Sequence, residues 1–239
     1  GQQSVPITIR LITGRGWGQG PTHSQNLQAW FAHVPGLKVV MPTTPADAKG
    51  LLLSSIFDPN PVVFLEHRWL HQSVGEVEKG DIRVPIGLAK IVRMGKDVTV
   101  VAASYLVVEA LQAAKVLAEE GIECEVIDLR TISPLDWDAV HSSVEKTRRL
   151  IVLDSGAQTG SVAGEIIARV AIKQHHVLEA APIRLAMPDV PEPTSFGLTK
   201  GFFVRGINIY QSVMAMFGKL ETVKADVLVE SSPHDVPGE

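Results

Sequence analysis

His23 follows the glycine-rich run Thr13 to Gly20 (TGRGWGQG) and precedes a stretch with apolar residues at helical spacing. A side chain at such a strand-to-helix turn can project clear of the backbone. An imidazole there can donate a hydrogen bond or a proton to an oxygen on which negative charge develops. On the residues alone, a local contact capping the helix accounts for His23 better than catalysis does. Gly14, Gly16, Gly18 and Gly20 invite a phosphate cradle, but their spacing is neither a Walker loop nor a dinucleotide fingerprint. They read better as a tight backbone path that leaves room for a ligand or another chain. Glu66 closes an apolar run and is expected to pair with a cation or a backbone group. His67 and His71 have no metal-ligand partners at a workable spacing, and are expected at the surface or in a linker. His175 and His176 fall at a predicted helix end, where they complement the dipole in solvent. Trp30, Phe31 and Trp137 are expected as core or interface anchors.

The balance of the chain narrows the classes. Its 239 residues carry a formal net charge of -4, with 45% hydrophobic and 20% charged residues. That is an ordinary globular composition, enough for one large domain or two small ones. Nucleic acid is not expected as a partner, because phosphate binding needs a concentrated basic stripe. Lys146, Arg148 and Arg149 form only a local cluster at a predicted helix end. The single cysteine, Cys124, excludes an intrachain disulfide and a cysteine-rich zinc module. No run of about eighteen apolar residues is present to span a membrane. A cytoplasmic location is expected, or the mitochondrial matrix in a eukaryote.

Strand and helix signals alternate, which predicts an α/β fold with mainly parallel sheets. Strands are predicted at Val5–Leu11, Lys38–Met41 and Val62–Leu65, and a helix over His23–Val34 from Leu27, Trp30, Phe31 and Val34. Thr44-Pro45-Ala46-Asp47 is a helix start, with Thr44 as N-cap and Pro45 at N1, and the helix runs to about Ile56. Residues 68–84 keep no sustained period and read as a linker. A second α/β unit follows, with strands at Val98–Ala102, Cys124–Leu129, Leu150–Leu153 and Ile183–Ala186. Its helices are predicted at Val107–Glu120, from Ser133 to near Lys146, at Val162–Lys173 and at Asn208–Phe217. Residues 218–239 form a polar tail. The first unit offers only three strands and two helices, fewer than an open parallel sheet usually has, so Gly1 is not expected to be a natural domain start.

The segment GRGWGQGPTHSQNLQAWFAHVPGLKVVMPTTPADAKGLL resembles the β subunits of pyruvate, branched-chain and acetoin dehydrogenases, and more distantly transketolase. The resemblance continues through DPNPVVFLEH, CEVIDLRTISPLDWDAV and the loop Gly156 to Gly164, nearly to Phe217. It implies an incomplete thiamine-binding, pyrimidine-type domain over 1–67, a linker over 68–84 and a transketolase C-terminal-like domain over 85–217. It also implies an α2β2 enzyme in which the α subunit holds the diphosphate and Mg2+ of thiamine diphosphate. No Gly-Asp-Gly metal-diphosphate motif occurs here, in keeping with a β chain. A β–β contact and docking to a dihydrolipoyl acyltransferase core come with it.

By this resemblance His23, in its HSQ motif, faces the substrate and is the catalytic candidate. Ser55, Ile56, Asp58 and Asn60, with Ile7 from the neighbouring strand, match a site for structural K+, with oxygens suited to a hard cation. An ordinary helix end with a polar turn accounts for the same residues equally well. The glutamate that activates the cofactor in such enzymes precedes the segment at which this chain starts, so Glu66 is not that group and the chain alone is expected to turn over little. Three functions remain open. The first is decarboxylation of a 2-oxo acid, pyruvate by default, with reductive acylation of lipoyl groups. The second is a non-catalytic assembly or docking fragment, and the third is part of a transketolase-like enzyme. The HSQ and LKVVMPTTPADAKGLL runs favour the dehydrogenase. The stretch HRWLHQSVGEVEKG does not select a substrate.

Overall fold

A computed structural model of the chain describes residues 3–14, 19–199, 201–220 and 228. The elements run β1 (Thr8–Thr13), α1 (Gly20–His23), α2 (Gln28–Ala32), β2 (Lys38–Val40), α3 (Pro45–Ile56), β3 (Val62–His67), β4 (Lys90–Arg93) and β5 (Val98–Ala102). They continue through α4 (Tyr105–Glu119), β6 (Cys124–Asp128), β7 (Thr131–Ser133), α5 (Trp137–Thr147), β8 (Leu150–Ala157), α6 (Val162–Gln174), β9 (Ile183–Met187), α7 (Phe196–Thr199) and α8 (Gly206–Met216).

Two sheets form. The first has the order β1-β3-β2-β7 and the second the order β4-β6-β5-β8-β9. Within each, the longer strands are parallel, as expected of apolar runs buried on both faces. Val62 to Leu65 of β3 and all five residues of β5 are buried. The antiparallel members, β4 on β6 and β7 on β2, are short pieces that period alone does not reveal. β7 joins the two units: Val39 pairs with Ser133 and Val40 with Thr131, so a strand from the second half completes the first sheet. One apolar cluster accordingly holds Val39, Met41, Val63 and Leu65 together with Val101, Ile127, Leu150 and Ile166.

The caps behave as their chemistry requires. Thr44 accepts the Asp47 N–H at 3.1 Å and starts α3 with Pro45 in the first turn. The start of α5 differs from expectation. Ser133 ends β7, and Asp136 is the N-cap, accepting the Ala139 N–H at 3.0 Å. The same carboxylate also accepts the Ala89 N–H at 2.9 Å, tying the chain before β4 to the helix start. Gly121, at φ +77°, follows α4 in the left-handed conformation that ends a helix cheaply only at glycine. Lys146 is paired with the buried Glu125 of β6, while Arg148 and Arg149 pair with Glu179 at 3.1 and 2.7 Å. This cluster therefore stitches α5 to the fold. The predicted polar tail, apart from 218–220 and Leu228, lies outside the described residues, as do Gly16 and Gly18.

Candidate functional site

β1 and β3 are parallel neighbours, so Thr13 and His67 bring their carboxyl ends to one edge of the first sheet. Crevices at that edge are where open α/β sheets bind ligands. His23 stands there with its side chain in solvent, at the end of the short turn α1. Its carbonyl accepts the Arg68 guanidinium at 3.4 Å, which ties the turn to the residue just after β3.

The helix predicted over His23–Val34 does not form as one piece. After His23 the chain leaves helical geometry, and α2 begins only at Gln28. The apolar spacing of Leu27, Trp30 and Phe31 is real, but the polar side chains just before Leu27 bond the backbone locally. Gln25 Nε2 donates to the Pro21 carbonyl at 3.0 Å and Asn26 Nδ2 to the Ser24 carbonyl at 3.3 Å. Such bonds compete with helix formation. His23 therefore ends a turn and does not open a helix, which removes the capping account of it.

Below His23 the segment is pinned from the second half. Gln28 is buried, and its Nε2 donates to Asp154 Oδ1 at 2.6 Å and approaches Ser155 Oγ at 3.3 Å. Asp154 lies past the apolar run of β8. It also accepts the Gly156 N–H at 2.8 Å and, at the start of α6, the Ala163 N–H at 3.1 Å. Burial pushes its carboxyl above the ordinary value, against these bonds. Neither Gln28 nor Asp154 was singled out from the sequence. The available signal was an acidic residue closing the apolar run Leu150 to Leu153, since acids are seldom fully buried unless paired.

Four buried polar atoms on this edge have no hydrogen-bond partner among the described residues: Thr13 Oγ1, Ser24 Oγ, Asn26 Oδ1 and Gln28 Oε1. Gly14, at φ +75°, passes so close to the His67 ring that a Cβ there would lie 2.2 Å from its Nε2. This is the tight backbone path the glycines suggested. His67 is a correction to the sequence reading, being buried and stacked on Tyr105 with ring centroids 5.0 Å apart. His71 is exposed, as are His175 and His176. Glu66 pairs with Arg10, its two oxygens 2.7 and 3.0 Å from Nη2. Its carboxylate is thus committed to a cation, as expected. Among the anchors, Phe31 and Trp137 are part-buried and pack on the shared core, and the Arg169 guanidinium lies 4.3 Å from the centre of the Trp137 ring. Trp30 is 71% exposed and faces a groove of about 1350 Å3 that Asn26, Trp137, Asp154 and Arg184 also line.

The residues matched to a K+ site lie at the end of α3, in the turn after it and just before β1. Ser55 and Ile56 end α3, Asp58 and Asn60 form the turn that follows, and Ile7 lies alongside, its carbonyl accepting the Val62 N–H at 2.9 Å. The Asp58 carboxylate already has partners in Lys38 and the Asn60 N–H, the latter at 2.8 Å. Partial burial works against its ionisation, but these partners prevail and hold it below the usual carboxylate range. What the turn can still offer a cation is main-chain oxygen. Among the described residues no group of three or more His, Cys, Asp or Glu is placed to hold a metal. No helix among them is long and apolar enough to cross a membrane.

Comparison with known proteins agrees with this architecture. Residues 1–73 match the transketolase pyrimidine-binding domain and residues 87–205 the transketolase C-terminal domain. Relatives include the acetoin:2,6-dichlorophenolindophenol oxidoreductase subunit beta of Cupriavidus necator, 46% identical over 195 residues, covering 82% of this chain and 58% of that one. Another is the mitochondrial pyruvate dehydrogenase E1 component subunit beta-2 of Oryza sativa subsp. japonica, 45% identical over 204 residues, covering 84% and 54%. The chain thus spans somewhat over half the length of these relatives. A solved structure described as a split gene transketolase, inactive beta4 tetramer, superposes with a TM-score of 0.71 at 23% identity over 91% of this chain and 67% of that one, a likeness of fold. In the order the two sheets follow, the chain carries the pyrimidine-binding and C-terminal domains of the transketolase type.

Proposed function

We propose that this chain acts as the β subunit of a thiamine-diphosphate-dependent 2-oxo acid dehydrogenase, with pyruvate as the default substrate. The observation that carries the reading is the solvent-facing His23 at the carboxyl edge of a parallel sheet, among buried polar atoms that lack partners among the described residues. The printed names of the relatives, an acetoin oxidoreductase and a pyruvate dehydrogenase subunit, support the class.

The residues of this edge fit one flank of a bound cofactor. Thr13, Ser24 and Asn26 offer hydrogen-bonding groups without partners among the described residues, and Gly14 keeps the backbone narrow. When bound, thiamine diphosphate supplies a nucleophilic carbon and an electron sink for decarboxylation. His23 supplies a hydrogen bond or a proton to the substrate carbonyl oxygen as negative charge develops there. Arg68 steadies the turn that carries it through the His23 carbonyl. Glu66 is held by Arg10 and does not serve as the activating acid. An α subunit completes the site and holds the diphosphate with Mg2+, and the assembled enzyme acylates lipoyl groups on a dihydrolipoyl acyltransferase core. The β–β contact belongs to the same assembly. The main-chain oxygens of Ile7, Ser55, Ile56, Asp58 and Asn60 hold a structural K+.

The test is titration calorimetry of thiamine diphosphate with Mg2+ into the chain, alone and with an α subunit, followed by the His23→Ala variant. Binding is expected only with the α subunit. Reductive acylation is expected to fall by about two orders of magnitude in His23→Ala. Unchanged acylation would remove His23 from the chemistry.

A further inference from the structure

The segment that carries His23 is held from both sides, and one holder comes from the other half of the chain. On the near side the Gly14 N–H donates to the Gln25 carbonyl at 3.4 Å. On the far side Gln28 reaches Asp154 at 2.6 Å, across 126 residues of sequence. Asp154 is itself fixed by the Gly156 and Ala163 N–H groups, so it is a rigid acceptor and not a mobile surface carboxylate. A Cβ on Gly156 would lie 3.0 Å from Gln28 Nε2 and 3.3 Å from the Asn26 carbonyl, so the two segments are in close contact along this stretch. Among the described residues, the side chains of Gln25 and Asn26, between His23 and α2, bond the backbone locally. A short hydrogen bond to a buried carboxyl oxygen that is itself fixed by backbone donors is able to hold such a segment.

From this geometry we infer that Gln28 and Asp154 are positioning residues, through which the second half of the chain sets where the His23 imidazole stands. The inference rests on the role proposed for His23, and adds that the catalytic edge is built by both domains. Loosening the clamp frees the 20–28 segment without touching a group that meets substrate.

The variant is Gln28→Leu, which keeps the volume and leaves Asp154 its two backbone donors, so α6 retains its start. In the free chain, amide exchange across 20–28 is expected to quicken about tenfold. Exchange in α6 should stay as in the wild type. The His23 imidazole resonance, identified by its loss in His23→Ala, is expected to move. In the assembled enzyme Gln28→Leu should slow acylation about tenfold and add nothing once His23 is already alanine, because both changes act through one group. Unchanged exchange with an unmoved His23 resonance overturns the inference, and so does a full additive effect of Gln28→Leu in the His23→Ala background. If His23→Ala itself leaves acylation intact, the function proposed for His23 falls, and exchange and the resonance in the free chain decide the clamp.

Discussion

Replacing Asp128 with asparagine should make the protein's stability less sensitive to a rise in pH from about 4 to about 7. Asp128 ends β6 with no exposed surface. Its Oδ1 accepts the Arg130 N–H at 3.0 Å, and its Oδ2 has no hydrogen-bond partner among the described residues. The nearby Thr43 hydroxyl spends its proton on the Ser104 carbonyl at 3.2 Å. The Arg130 guanidinium is turned to the Leu88 and Ala89 carbonyls and to Asp47, at 3.0 to 3.2 Å, and so does not neutralise Asp128. Burial therefore dominates, and Asp47 adds like charge. Together they outweigh the Arg130 N–H and the Arg130 charge, and move the carboxyl from 3.8 up to about 7. A raised acid holds its proton more tightly in the folded state. Its contribution is favourable below about pH 4 and is lost as pH rises through about 7. At about 1.4 kcal/mol per pH unit over that interval, the loss is about 4 kcal/mol. Asparagine keeps the acceptor for Arg130 and has no proton to lose. Urea unfolding of both proteins at pH 4 and pH 8 measures this. The wild type should lose about 4 kcal/mol relative to Asp128→Asn across the interval. Histidines and other carboxyls cancel in that difference. A gap between the two proteins that stays constant with pH would refute the reasoning.

Two further outcomes follow from the same coordinates. Cys124 is fully buried, and desolvation pushes its thiol up to about 12, so at pH 8 the native chain should resist thiol reagents and label only as fast as it unfolds. Rapid labelling of the native chain would contradict that burial. The proposed K+ site predicts a higher Tm in KCl than in NaCl at equal ionic strength, by about 1.4 kcal/mol of stability at ten times the Kd. Equal Tm values would leave the Ile7–Asn60 turn as a plain helix end stabilised by Lys38 and Asp58.

The parts of this fold that were legible in the sequence are those whose signal is local. Val62 to Leu65 and Val98 to Ala102 are short, β-branched, mostly apolar runs that read as buried strands, and Thr44-Pro45 is a start signal that the backbone obeys. What was not legible depends on partners distant in the chain. β7 is three residues long and is a strand only because β2 offers an edge, a pairing of residues more than ninety positions apart. The break after His23 has a local cause in Gln25 and Asn26, yet apolar periodicity outvoted it. From the sequence His67 is expected at the surface or in a linker because no metal-ligand partner stands at a workable spacing, whereas Tyr105 and Gly14 enclose it from elsewhere. The candidate site divides in the same way. His23 could be named from its motif, but the Asp154 that holds its segment lies in the other half, and no spacing rule connects the two. In a fold whose first sheet takes a strand from the second half, and whose sheets share a core, the candidate edge of one half is shaped by the other. Separating the halves at the 68–84 stretch would expose Val39, Met41, Val63 and Leu65, strip β2 of β7, one of its two neighbours, and release Gln28 together.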